Sequence, residues 1–469
     1  ISINGKVVQV IVSILACFPA FFTGLCAGWT SPMTTYFSSN ETELTSGPMT
    51  TEEISMMSSF MYIGAGLGAL ISGWLVNKIG RKWTLLVFML PVIVANILIL
   101  IAKSPLLLLI SRILNGTIIG SQLVVPSIFI AEIVEDSMKT TIGTFSGAIF
   151  NLGVFYSKFI TGFFGIYAVS VTSFPIIFVI FGFFVLCPDT PEYLLFRKRT
   201  TEAEKSLRFY RGLPVIQPLT EITALEFEEK KEQIRLRSQT TSISIKDFRE
   251  GTTILAIIVT FVLTSTLNFA GIRLMTSLTE VFIKDSGIDM DVSLIDTSIS
   301  ALQIVGCLIS IYIARYVGIR ISLCVYYTLG FIGLLGTGIH FYLHDSGLDL
   351  NNSIWSFLIF LTIAIVVPST GLNNLCVGVP SMILPVKIRG TVLGTSTVIQ
   401  LILAIFEMQY YLTLMDIIGN STIFTAFSVW CLFGAIFTYF YIPEVKNVTF
   451  ADIVSSLEKK LPRKFKKAL

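Results

Sequence analysis

The chain has 469 residues, 53% of them hydrophobic and only 13% charged, with a mean hydropathy of +0.79. That composition cannot be folded into a water-soluble globule with a charged surface, so lipid must be its solvent. The net charge of +3 points to no nucleic-acid partner, because the basic residues sort by membrane side instead.

Runs of roughly 20 mainly apolar residues, each able to cross a ~30 Å hydrocarbon core as a helix, recur along the chain. They fall at 8–30, 54–76, 84–102, 106–130, 141–163, 167–187, 252–275, 292–313, 320–343, 354–383, 389–414 and 420–441. The chain reads as an all-α membrane protein with twelve transmembrane helices. The first run is long, lacks a small-residue cleavage site and is followed by further spans, so it reads as a span and not as a cleavable signal.

Lys and Arg gather on alternate loops. If residue 1 lies inside, 28 of the 33 basic residues fall on the inner loops, the central segment and the tail, and only Lys103 and Lys284 lie outside. Arg112, Lys158 and Arg273 fall within spans. The positive-inside bias makes both termini and the central segment cytoplasmic. Sequons at Asn40, Asn351 and Asn420 then lie on outer loops as glycosylation candidates, whereas Asn115 falls in a helix and Asn447 inside.

The longest polar stretch separates six spans from six. This gives an N-terminal six-helix bundle at 1–187, a cytoplasmic linker at 188–250, a C-terminal bundle at 251–441 and a basic cytoplasmic tail at 442–469. Thr201–Gly212 and Leu219–Ser238 have helical composition, so the linker is expected to carry short helices beneath the membrane domain. Landmarks recur in matched order. Gly73-x-x-x-Asn77-Lys78-x-Gly80-Arg81-Lys82 after span 2 answers Arg315-Tyr-Val-Gly318-Ile-Arg320 after span 8. Glu132 precedes Lys139 by seven residues as Met382 precedes Arg389, and Pro188-Asp-Thr-Pro-Glu192 answers Pro443-Glu444-Val-Lys446. Duplicated halves of this kind bury a polar site near the midplane, between bundles that rock against each other.

With Gly28-Trp-Thr-Ser-Pro32, Arg112-x-x-x-Gly116-x-x-x-Gly120, Phe129-Ile-Ala-Glu132 and Glu204–Gly212 added, the chain resembles the sugar-porter family of the major facilitator superfamily, in particular its insect trehalose-transporter-like branch. The resemblance spans nearly the whole chain. It implies two pseudo-symmetric six-helix bundles in the plasma membrane and a carrier of hexose, trehalose-like sugar or a related polar solute. Charged groups at helix ends can weight one access state against the other. The candidates here are Asn77, Arg81, Arg112, Glu132, Lys139, Asp189, Glu192, Arg320, Arg389 and Glu444. Asn77 stands where the family has Asp, and Met382 where it has Glu, which weakens the second-half latch.

The same resemblance places a sugar site on amides. Asn268 and Gly271 keep part of the helix 7 pattern, and Gln303 and Gln400 take the amide positions of helices 8 and 11. Leu267, Gly147 and Val377 replace polar or Trp positions, and Arg273 replaces an Asn. A guanidinium at mid-membrane costs at least ~2.5–3.5 kcal/mol, so Arg273 needs a wet cavity, an anionic ligand or an internal acid such as Glu280 or Glu407. Arg273 keeps open an organic-anion or glycoside-conjugate carrier. Asn77 and Met382 keep open a non-transporting sugar sensor. Span 1 has no Asp or Glu, which favours facilitated diffusion over proton symport.

No nucleophile–base pair or phosphate loop suggests an enzyme. The seven Cys form no Cys-x-x-Cys pair, and His340-x-x-x-His344 with Asp345 lacks a fourth ligand, so neither metal nor cofactor is expected. Gly64-Ala-Gly66-Leu-Gly68 reads as small-residue helix packing, since no strand precedes it. The expected partners are a small polar solute and the lipid bilayer, with no nucleic acid. The oligomeric state is open.

Overall fold

The computed structural model describes residues 5–213, 221–239, 248, 251–287, 290–347 and 354–442. Every expected apolar run lies on helix, because in a bilayer a helix satisfies all its backbone polar groups internally. Span 1 comprises Gly5–Ala16 and Phe18–Phe37, and span 2 is Thr51–Lys78. Span 3 comprises Arg81–Val87 and Met89–Ile101, followed by span 4 (Pro105–Ile133), span 5 (Asp136–Phe164) and span 6 (Ala168–Leu186). The linker holds helices Pro191–Phe196, Thr200–Arg211 and Glu221–Gln239, where short helices were expected.

Span 7 is broken into Gly251–Phe269 and Ile272–Ser277, with Thr279–Asp285 continuing beyond it. Span 8 is Val292–Val317 and span 9 is Ile319–Asp345. Span 10 runs through Ile354–Val367, a π turn at Pro368–Leu372 and Asn373–Ile383. Spans 11 and 12 share the continuous segment Val386–Tyr441, interrupted at Gly419, whose φ of +78° leaves the helical region. Among the described residues, ten helical segments are long and apolar enough to cross a membrane, and the last of these holds both runs of that segment.

Two details show how the helices of the N-terminal half are started and packed. At the start of span 2, the Thr50 side chain accepts from the Glu53 backbone N–H while the Thr50 N–H donates to the Glu53 carboxylate at 2.9 Å. This capping box satisfies two orphan donors at a helix end. Farther along, Gly64 and Gly68 lie so close to span 4 that an added Cβ would meet the Ile113 and Thr117 carbonyls at 2.0 and 2.2 Å. Backbones can approach that closely only across small residues.

Candidate functional site

The break in span 7 is built by its sequence. Gly271 has φ +67°, a left-handed conformation that favours glycine, and its N–H donates to the Asn268 carbonyl at 2.8 Å. A Cβ there would press on the Phe427 ring at 2.8 Å. Discontinuous helices are where carriers expose backbone and amide groups near the midplane.

Asn268 stands at this break, and Gln303 bonds to the π turn of span 10, which packs against Ile272–Ser277. Asn268, Gln303 and Gln400 are buried at 2%, 1% and 7% exposure. Gln303 Nε2 donates to Ser369 Oγ at 3.0 Å, on the π turn of span 10, while its Oε1 is sealed without a donor among the described residues. Asn268 is already engaged: its Nδ2 donates to the Thr264 carbonyl at 3.0 Å, and its Oδ1 accepts from Arg273. The Val377 side chain lies outside the described residues.

Arg273 also stacks its guanidinium over the Tyr62 ring of span 2, 5.8 Å from the centroid. Its charge acts on Glu407 of span 11, whose two carboxyl oxygens are sealed and lack hydrogen-bond partners among the described residues. Of the two acids weighed for Arg273, Glu407 is the one in its field. Glu280 faces elsewhere, accepting from Thr35 at 2.7 Å and placing its backbone N–H on Ser31 Oγ at 2.9 Å.

Sequence reasoning assigned no role to Lys158 and did not name Asp296. Lys158 of span 5 pairs with Asp296 of span 8 at 2.6 Å, with both side chains 1% exposed, and also reaches Thr279 at 3.3 Å. The signal was present: each is a lone charge inside an apolar run. Ser59 of span 2 donates to Gln409 of span 11 at 2.5 Å. These contacts between the halves cluster on the face opposite the linker.

On the linker face the charges form a second network. Gly80, at φ +101°, lies where a Cβ would overlap Asp189 Oδ2, which explains the glycine before Arg81. Arg81 holds Glu132 through Nε at 3.0 Å and Nη2 at 2.6 Å, and Thr190 donates to the same carboxylate. Glu192 pairs with Lys230 at 3.0 Å, and Asp189 Oδ1 accepts from the Thr190 N–H at 2.8 Å. Burial holds the Asp189 carboxyl above its usual range, partly offset by hydrogen bonds from the Thr190 and Lys82 backbone.

Other expected residues stand apart from this network. Arg112 is fully buried inside the N-terminal bundle, where it donates to the Met57 and Cys26 carbonyls at 3.2 Å and to Thr30 Oγ1 at 2.5 Å, under the Trp29 ring. It is not at a helix end, because span 4 continues for two turns on its N-terminal side. Among the described residues, Asn77 Nδ2 reaches only the Gly73 carbonyl of its own helix, at 3.5 Å. Arg389 caps the Leu384 carbonyl at 3.1 Å, and Arg320 donates to the Tyr439 carbonyl. No carboxylate pairs with either among the described residues. Glu444 and the Lys139 side chain lie outside the described residues, as does Asn351. Asn40 is exposed, but Asn420 is a correction: its Nδ2, which would carry a glycan, is buried and donates to Asp285 at 3.1 Å, while its Oδ1 accepts from Tyr411 at 2.7 Å.

Residues 8–456 match the family described as "Sugar (and other) transporter". The chain belongs to that family. This sugar transporter family member is 25% identical over 450 residues to the facilitated trehalose transporter Tret1 of Polypedilum vanderplanki, covering 95% of this chain and 87% of that one. It is 24% identical to Tret1 of Drosophila virilis, again over 95% of this chain, but there it spans about half the relative's length, 48%. Among solved structures, the inward-open conformation of the xylose transporter XylE from E. coli aligns with TM-score 0.75 at 15% identity, over 97% of this chain and 100% of that one. A partially occluded inward-open form of XylE gives 0.74 at 13% identity, over 92% and 99%. The sugar transporter family member therefore has the major facilitator fold, with multiple apolar helices able to cross a membrane.

Proposed function

We propose that this chain is a non-enzymatic carrier that moves a neutral sugar, or a related polar solute, across the plasma membrane by alternating access. The observation that carries the proposal is Gln303, whose Oε1 is buried beside the π turn of span 10 without a donor among the described residues. A sugar hydroxyl is a donor of the right kind, and a buried acceptor left unmet costs ~1–3 kcal/mol. Asn268, Gly271, Arg273 and Gln400 complete the proposed site. The curated relatives named facilitated trehalose transporters support a sugar as the solute, and the absence of an acid from span 1 supports facilitated diffusion. A neutral solute fits better than an anion, since Arg273 is already engaged by the Asn268 amide oxygen and the Tyr62 ring.

In this reading the termini and linker are cytoplasmic, as the basic residues require. The bundles meet on the outer side through Lys158–Asp296, Glu280–Thr35 and Ser59–Gln409, and Arg81, Glu132, Asp189 and Glu192 brace the inner face of the N-terminal half. Opening and closing would exchange these contacts for others. The test is uptake by the full chain reconstituted in vesicles, across labelled glucose, trehalose, polyols, and glycoside and carboxylate conjugates. Saturable uptake of a neutral sugar, weakened by Gln303→Leu, is the expected result. Preference for the carboxylate conjugates would replace this reading with an anion carrier, and absence of saturable flux for every solute would replace it with a sensor.

A further inference from the structure

On the linker face, a groove of about 590 Å³ opens between the start of span 3, the end of span 6 and helix Thr200–Arg211. Its walls combine two kinds of residue. Lys82, Arg199, Lys205 and Arg208 supply four positive charges against Asp189 and Glu202, a net excess of two within the lining. Trp83, Leu186 and Phe209 contribute apolar surface that is 47%, 79% and 40% exposed.

The charges are not equally free. Lys82 Nζ donates to the Val185 and Cys187 carbonyls at 2.8 and 2.6 Å, closing the end of span 6. Arg199 shares a solvent-exposed pair with Glu202 at 2.6 Å, and Arg208 meets Glu204 at the same distance. Lys205, on the same helix, is exposed and has no partner among the described residues. An exposed surface pair is worth little, so Arg199 can turn to a stronger anion at small cost.

We infer that this groove binds the headgroup of an anionic phospholipid. The phosphate and acidic headgroup lie against Lys205 and Arg199, and the acyl chains run along Leu186 and Trp83 into the hydrocarbon layer. The groove's size matches a small-molecule site, and its place at the ends of two spans puts it at headgroup depth. Basic residues at that depth favour anionic lipid, while an exposed Trp beside them suits the interface between water and hydrocarbon. The site is independent of the solute carried.

The experiment uses the full chain, purified in detergent and titrated separately with phosphatidylserine, phosphatidylcholine and soluble glycerophosphoserine, with retained lipid counted by native mass spectrometry. The wild type should retain phosphatidylserine about tenfold better than phosphatidylcholine, and glycerophosphoserine weakly. The double variant Lys205→Glu, Arg199→Glu should lose that preference. Lys284→Glu, a reversal on the opposite face, should keep it. Residual phosphatidylcholine binding and an unchanged elution volume would show that the double variant is folded, and if it fails either check, Lys205→Gln alone should still reduce the preference. Equal retention of the two lipids by wild type overturns the proposal, as does an unchanged preference in folded variants. Glycerophosphoserine binding as tight as the lipid would instead mark a free-phosphate site and also overturn it.

Discussion

Lys158 and Asp296 join the two halves of the transporter through a 2.6 Å ion pair from which water is almost fully excluded. Such a pair is weak evidence of net stabilisation, since desolvating both charges offsets most of their attraction. Its value lies in which state it favours. A bond between bundles on one face exists only while that face is closed.

Breaking the pair one-sidedly should therefore shift the access equilibrium. Lys158→Met leaves Asp296 buried and unpaired, a change that typically costs ~3–5 kcal/mol. Spin labels on the ends of spans 1 and 7, opposite the linker, should report a longer distance in Lys158→Met than in wild type. The double variant Lys158→Met, Asp296→Leu should recover much of the loss in thermal stability. An unchanged distance in the single variant would refute the gating role.

Arg273 and Glu407 should behave as a coupled couple. Glu407→Gln should raise acceptance of carboxylate-bearing solutes, because it leaves the guanidinium without its nearby acid. Arg273→Asn should release Asn268 and favour neutral sugars. Competition of labelled sugar by neutral and acidic analogues measures both shifts, and identical competition profiles in wild type and both variants would show that neither residue touches selectivity.

Asp189 makes stability depend on pH with a definite sign. Its folded carboxyl holds a proton above the ordinary value of 3.8, so the folded state binds more protons than the unfolded one in the window just above that value. This contribution is fully present at lower pH and is lost as pH rises through the raised value. Asp189→Asn removes the dependence. The melting temperature of Asp189→Asn relative to wild type should accordingly increase as pH rises through that window, and a difference that stays flat with pH would show that Asp189 titrates normally.

Glycosylation should distinguish two sequons that look alike in sequence. Asn40 is exposed, whereas Asn420 spends its amide on Asp285 and Tyr411. Enzymatic deglycosylation of the protein from a glycosylating host should shift its mobility through Asn40, and Asn420→Gln should leave the glycan mass unchanged. A mass loss in Asn420→Gln would show that the site is open during synthesis.

The sequence by itself determined the membrane class, the helical runs and the family, because bilayer thickness and the hydration of charge impose patterns that survive at any packing. It also picked out Asn268, Gln303 and Gln400 as amides within spans and Arg81 and Glu132 as charges at helix ends, since position along a helix follows from spacing within it. Tertiary structure alone decided what each charge meets. Lys158 and Asp296 are 138 residues apart and belong to different bundles. Arg112 sits among carbonyls in a bundle interior, and the Asn420 amide is used up by a neighbouring helix. Partnership across helices depends on how rods rotate and cross, and a one-dimensional pattern of hydropathy leaves that rotation unspecified.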